Sequence, residues 1–235
     1  MSSLDLSFDP STFSGQVPLF PLPGMVLLPG GVLPLHVFEP RYRAMVTDAL
    51  AGERFIAMAL LRPGYEPDYE ACPEIAPGVC LGRIALEQRL PDGRWNLVLL
   101  GLRRARVIGE DRSRPYRLAS VELLDDPRLE AEREAELGQA LARRLLEVPA
   151  RLVRDAERLS TALQVLAGPA DLPLGLRLDL TCDQFHLSPA ERQRLLETAG
   201  VAERSEVLLQ VLAARRAELD RLGLSHEWPP RLSPN

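Results

Sequence analysis

Residues 17–24 read Val-Pro-Leu-Phe-Pro-Leu-Pro-Gly, and residues 33–43 read Leu-Pro-Leu-His-Val-Phe-Glu-Pro-Arg-Tyr-Arg. The first run is a short apolar strand, Val17 to Phe20, that enters a Pro-Leu-Pro-Gly turn at 21–24. Beyond it, Met25–Leu28 and Val32–Val37 predict two more strands, separated by Pro29-Gly30-Gly31. Pro40 stands where a first helical residue would, because a missing N–H costs nothing there, and Arg41–Leu50 reads as one helix stopped by Gly52. A chain that alternates short apolar runs with proline and glycine joints is β-rich, and the pattern continues as far as Leu124.

Phe55–Leu61 is a buried strand by its apolar run, and residues 62–78 hold four prolines and two glycines, which predicts an irregular exposed loop. Val79–Leu90 and Trp95–Val107 flank Pro91-Asp92-Gly93, a hairpin signal, and Tyr116–Leu124 is a last strand. Near residue 125 the texture changes: residues 1–125 hold 13 of the 21 prolines and 10 of the 12 aromatics. The second half carries a helical period instead. Leu137, Leu141 and Leu145 share one face, and Leu152, Ala156, Leu159, Leu163 and Leu166 another. Leu172 to Leu180 alternate with period two, as a strand would, but an isolated strand among helices lacks a partner, so this segment is read as helix. Ser188-Pro189-Ala190-Glu191 is a capping box that opens a helix ending by Gly200. The final helix spans about 202–222, with Leu208, Leu212, Arg215, Leu219 and Leu222 in a stripe. The expected organisation is a tail over 1–14, a β domain over 15–125, a bundle of four or five helices over 126–224, and a second tail over 225–235 in which Trp228 is a candidate anchor.

Composition narrows the function. The 235 residues are 46% hydrophobic and 26% charged, with a net charge of −5, and all 28 basic residues are arginine. Without lysine there is no Walker-type phosphate loop, no Schiff-base amine and no Ser–Lys nucleophile pair. The net charge argues against a chain that coats nucleic acid. Three cysteines, Cys72, Cys80 and Cys182, show no CxxC spacing and read as reduced, small apolar groups of a cytoplasmic protein. The N-terminus lacks the basic and apolar regions of a secretory signal, and no apolar run is long enough for a membrane span.

Taken in order, these segments resemble the N-terminal domain of the ATP-dependent Lon protease, and more closely the stand-alone bacterial proteins built from that domain alone. The resemblance rests on 17–24 and 33–43, on Gly78-Val-Cys-Leu-Gly-Arg-Ile84, on Leu90-Pro-Asp-Gly-Arg-Trp-Asn-Leu, on Gly101-Leu-Arg-Arg-Ala-Arg-Val107, on Leu187-Ser-Pro-Ala-Glu-Arg-Gln and on Glu203-Arg-Ser-Glu-Val-Leu. It covers about residues 16–222. It implies an α+β fold, a PUA-like β-barrel domain followed by an α-helical bundle, and a non-enzymatic module that recognises polypeptide substrates without the ATPase and peptidase parts. Its implied partners are unfolded or exposed polypeptide segments, with a protease or chaperone, in the cytoplasm and as a monomer or weak dimer.

The residues themselves suggest where ligands could sit. Arg41 and Tyr42 form the heart of the 33–43 motif, either at a groove that contacts a peptide carbonyl or carboxylate or as an internal tie to Glu39. Tyr65 and Tyr69, on the proline-stiffened loop, offer contact area at low entropic cost, and Phe38 adds an aromatic within the motif. Six arginines lie within residues 103–117, and Arg103, Arg104, Arg106 and Arg117 carry an alternative RNA-binding reading. A small-molecule hydrolase is a further alternative with no residues to support it. His36 and Glu39 have a spacing open to a metal, but the preferred reading puts His36 on a strand and Glu39 as the cap of the following helix, and no metal or cofactor is expected.

Overall fold

The structure is a computed structural model and describes residues 8–69, 72–127, 129–168 and 172–223. Six strands, β1 (Gln16–Leu22), β2 (Val32–Val37), β3 (Phe55–Leu61), β4 (Ile75–Arg89), β5 (Trp95–Asp111) and β6 (Arg117–Leu123), lie in one sheet of order β2-β5-β4-β3-β1-β6. Because β5 also pairs with β6, five strands close a ring of pairings, and β2 is left as an edge outside it. Helix α1 (Pro40–Ala51) links β2 to β3. The remaining helices are α2 (Ala131–Leu145), α3 (Ala156–Ala167), α4 (Leu174–Cys182), α5 (Pro189–Glu197) and α6 (Val201–Arg221). The architecture is α+β, as expected.

The proline-rich first strand works because its neighbours change along it. β6 pairs with Gln16 to Leu19 and β3 with Leu19 to Leu22, so only Leu19 has partners on both sides. Pro18 and Pro21 each face a single neighbour, where a missing N–H need not break a ladder. Pro34 sits in β2, which pairs only with β5. Inside the ring, small and branched side chains pack together: Val17, Leu19, Ala57, Val79, Leu81, Ala105 and Ala119 are all 1% exposed or less.

The four residues Met25–Leu28 do not form the expected strand. The turn after them takes the Leu28 carbonyl through the Gly31 N–H at 2.9 Å, and Leu27 and Leu28 are instead buried as a cover over the sheet. The Gly101 N–H donates to the Gly31 carbonyl at 2.9 Å, and a Cβ on Gly101 would fall 2.2 Å from the Leu28 carbonyl oxygen. The expected loop 62–78 is shorter, because β4 begins at Ile75, and it contains one 3-10 turn at Glu66–Asp68. Of the expected tail 1–14, residues 1–7 lie outside the described residues, and in the remainder Phe8 and Phe13 pack on Phe55 with ring centroids 5.6 and 5.9 Å away. The expected tail 225–235 and Trp228 lie outside the described residues.

The chain divides into two compact units that part after Asp126, and Ser188–Ala199 returns to the first unit. The expected helical domain over 126–224 is therefore interrupted. The reason is a set of hydrogen bonds to β4: Gln193 Nε2 donates to the Gly78 carbonyl at 2.8 Å, and the Gly78 N–H donates to Glu197 Oε1 at 3.2 Å. A Cβ at residue 78 would lie 2.4 Å from Glu197 Cγ, so glycine allows this approach. The capping box is formed as read, with Ser188 and Glu191 each satisfying the other's backbone N–H.

The second unit contains α2, α3, α4 and α6. The segment 172–180 is helical over Leu174–Cys182, as read. The stripe assigned from Leu152 is broken: Leu152 belongs to a separate 3-10 turn, and Asp155 caps α3 by accepting from the Glu157 and Arg158 N–H groups. Leu222, at the end of the last stripe, is 63% exposed. Two arginines are buried here instead. Arg177 donates to the Leu166 and Gly168 carbonyls at the end of α3 and to Glu134 of α2 at 2.9 Å, and so satisfies a helix terminus that lacks intrahelical partners. Arg204 of α6 faces Asp179 of α4 at 3.3 Å, with side chains 0% and 1% exposed.

Two substitutions measure these contacts. Gly101→Ala forces the Leu28 carbonyl aside, and urea unfolding should show a loss of about 1–3 kcal/mol. Arg204→Met removes the ion-pair partner of a buried carboxylate and should cost about 3–5 kcal/mol, whereas the double change with Asp179→Leu should recover most of that loss. Equal instability of the single and double variants would show that the pair itself is not the source.

Candidate functional site

The 33–43 motif builds one wall of a pocket. Glu39 occupies the N-cap position of α1, with extended backbone before Pro40, but its carboxylate makes no cap hydrogen bond, which corrects the expected cap. Instead it accepts from Arg41 Nε at 2.9 Å and from the Tyr69 hydroxyl at 3.0 Å. The helix start is thereby tied to the loop before β4. The Arg41 guanidinium carbon lies 4.6 Å from the Tyr42 ring centroid and 5.1 Å from that of Tyr69, within cation–π range of both. Tyr42 in turn packs on Phe20 at 4.5 Å.

The opposite wall comes from the β5–β6 connection. Arg112, Arg114 and Tyr116 line the pocket there, and Arg117 closes it. The Tyr116 hydroxyl donates to Asp48 Oδ2 at 2.6 Å, and Arg114 donates to the same oxygen at 2.8 Å. Arg117 makes a two-pronged contact with Glu110, at 2.7 and 2.6 Å, and donates to the Pro73 carbonyl at 2.9 Å. Pro21, Leu61 and Pro73 supply apolar lining to a cavity of about 120 Å³.

Two features of this pocket are not needed to hold it together. Tyr42 is 4% exposed, yet its hydroxyl makes no hydrogen bond to any described residue. Burial pushes this phenol's pKa well up, so it stays a hydrogen-bond donor at any working pH. Four arginines line the cavity, and among the described residues no carboxylate does. The three acids that meet them, Glu39, Asp48 and Glu110, all lie outside the lining.

The aromatic candidates separate. Tyr42, Arg41 and Tyr69 come together at the pocket, while Tyr65 is half-buried and meets Tyr69 edge-on at 6.2 Å without lining it. Phe38 is 60% exposed, away from the pocket, and stacks on His36 at 6.3 Å. The arginine stripe separates too: Arg103 and Arg106 are exposed on β5, with Arg103 over the Phe8 ring, but Arg104 and Arg117 are buried. A guanidinium turned inward cannot reach a phosphate, so the four do not form one surface. Arg112 and Arg114, which the spacing placed with that stripe, belong to the pocket rim. His36 lies on β2 as read, and both ring nitrogens are engaged, Nδ1 with Asn96 at 2.8 Å and Nε2 with Arg94 at 3.2 Å. Among the described residues no group of three or more His, Cys, Asp or Glu could hold a metal, and no helix is long and apolar enough to cross a membrane. Cys80 and Cys182 are buried, and Cys72 is half-exposed at the pocket.

The fold is that of the α+β domains found at the N-terminus of Lon proteases. The N-terminal domain of the Mycobacterium avium complex Lon protease superposes with a TM-score of 0.62 at 21% identity, over 84% of this chain and 98% of that one. A Lon N-terminal domain protein from Xanthomonas campestris gives 0.55 at 29% identity, over 83% and 97%. The chain belongs to the family of the ATP-dependent protease La (LON) substrate-binding domain, whose model matches residues 16–214. It is 28% identical to the Lon protease of Anaeromyxobacter dehalogenans over 85% of its own length and 23% of that protein's. It is 29% identical to Lon protease 2 of Myxococcus xanthus over 85% and 24%. The chain thus spans about a quarter of the length of the curated relatives it matches.

The Glu110–Arg117 pair gives the pocket wall a defined pH response. Hydrogen bonds from Arg117 hold the Glu110 carboxyl below its ordinary pKa, so the pair's contribution is present above about pH 4.3 and is lost as pH falls through the lower folded value. Glu110→Gln should cost about 2–3 kcal/mol at neutral pH, and the gap to the parent protein should shrink toward pH 2 in chemical unfolding curves. A gap that does not change with pH would show that the carboxylate charge is not what holds Arg117.

Proposed function

We propose that this chain is a non-catalytic polypeptide-recognition module that binds exposed or unfolded segments at the Tyr42–Arg41–Tyr69 pocket. The observation that carries the reading is the Tyr42 hydroxyl, which belongs to a largely buried side chain, makes no hydrogen bond to a described residue and lines a cavity with apolar, aromatic and arginine walls. Ligand sites generally pair such walls with a few fixed polar groups. Membership of a substrate-binding family supports the same reading. The module would act in the cytoplasm, delivering or shielding segments for a protease or chaperone, as a monomer or weak dimer. Tyr65 would extend the contact through Tyr69, and Phe38 would offer a separate exposed ring. For the RNA alternative, Arg104 and Arg117 are buried, which leaves Arg103 and Arg106 on β5 and Arg112 and Arg114 at the pocket rim as exposed charges rather than one stripe, and no observation favours a hydrolase.

The test is fluorescence anisotropy with a labelled, permanently unfolded protein, reduced and carboxymethylated α-lactalbumin, beside a labelled RNA oligomer at low and high salt. The expected result is a polypeptide Kd of about 10 μM that persists at high salt and weakens about tenfold in Tyr69→Ala. RNA binding with a steep salt dependence and no polypeptide binding would overturn the proposal.

A further inference from the structure

The pocket's charge balance points beyond general polypeptide binding. Each of three lining arginines already has an acid: Arg41 has Glu39 at 2.8 Å, Arg114 has Asp48 at 2.8 Å, and Arg117 has Glu110 at 2.6 Å. The fourth, Arg112, makes no ion pair or hydrogen bond with any described residue and is exposed at the rim. Among the described residues, Arg112 is thus the one lining guanidinium without an ion pair, although its charge also helps lower the pKa of Glu110, and the three paired carboxylates lie outside the lining.

We propose, building on the polypeptide-recognition reading, that this pocket selects segments bearing a carboxylate, with Tyr42 and Arg112 as its donors. The chemistry is matched on three counts. A phenol that does not ionise donates to an anion without repelling it, and a guanidinium offers a fork suited to a carboxylate. A cavity of about 120 Å³ has room for one carboxylate-bearing end or side chain of a segment whose remainder stays outside. The apolar surfaces of Pro21, Leu61 and Pro73 lower the local polarity beside the buried Tyr42, which strengthens a charge-assisted bond there. The paired arginines are held in place by Glu39, Asp48 and Glu110, which leaves Arg112 as the lining cation without an ion pair to a described residue. The carboxylate can come from a chain terminus or from an aspartate or glutamate side chain, and the pocket chemistry is the same for both.

The experiment uses the whole chain and four labelled peptides of one apolar sequence: free C-terminus, C-terminal amide, C-terminal amide with one internal aspartate, and the same with asparagine. At least one carboxylate peptide should bind about tenfold tighter than its neutral partner. The free-terminus and aspartate arms identify which carboxylate is taken. Tyr42→Phe, which removes only an unpartnered oxygen, and Arg112→Gln should each bring the carboxylate peptide down to the affinity of its neutral partner; far-UV circular dichroism checks that both variants fold. Equal binding of charged and neutral peptides, or a preference that survives both substitutions, overturns the carboxylate assignment and leaves polypeptide recognition standing. Failure of all four peptides, together with failure of the unfolded protein, overturns both.

Discussion

Strand β5 is the constraint on which the first unit depends. Its 17 residues pair with β2 and β4 over one end and with β6 over the other, and without that last pairing the five-strand ring would stay open. Such a long strand must bend, and it does so at irregularities in its ladders, where the register shifts between Leu81 and Gly82 on β4 and between Val107 and Gly109 on β5. Gly101 lies in the middle of the strand and lets the Leu28 carbonyl approach so closely that the Met25–Leu28 cover can lie on the sheet. The same bend carries β5 to the connection that holds Arg112, Arg114 and Tyr116. The ring's closure and the pocket's second wall therefore have one cause.

The pocket is a device for holding positive charge in a partly dry place. Buried charges are costly unless each meets a partner, and the largely buried Arg117, the partly buried Arg41 and the half-exposed Arg114 each meet a carboxylate that is not among the lining residues. Helix α1 contributes twice to this arrangement, through Glu39 at its start and Asp48 near its end. One helix thus anchors both walls, and its buried face, Tyr42, Met45, Val46 and Ala49, fixes it to the sheet. The second unit uses the same residue type differently: Arg177 replaces missing helix-end hydrogen bonds, and Arg204 neutralises Asp179 between two helices. In a chain without lysine, arginine serves as cap, strut and rim, because its five donors can satisfy several carbonyls or carboxylates at once.

Local grammar was legible in the sequence wherever a rule operates within a few residues. Pro40 at a helix start, the Ser188–Glu191 box, the Pro91-Asp92-Gly93 hairpin and the texture change near residue 125 all correspond to observed features, because turn and cap preferences are decided by neighbours in the chain. The α+β class and the family resemblance followed from the order of these segments. Legibility failed where a partner was distant. Nothing near Tyr69 announces Glu39, 30 residues away, and nothing near Arg117 announces the Pro73 carbonyl, 44 away. The arginines at 103–117 looked like one stripe, yet strand alternation and the turn after Asp111 send them to three places: outward, into the interior and to the pocket rim.

Residue order alone was enough for the alternation of strand and turn, the helical second half, the absence of lysine chemistry and the membership that these patterns imply, since all are properties of composition and short-range spacing. It took the folded chain to show that Ser188–Ala199 returns to β4, that Arg177 and Arg204 are interior, and that Tyr42 meets no described acceptor while four arginines surround one cavity. Burial and charge pairing are sums over atoms that the chain brings together only on folding, and no local spacing encodes them.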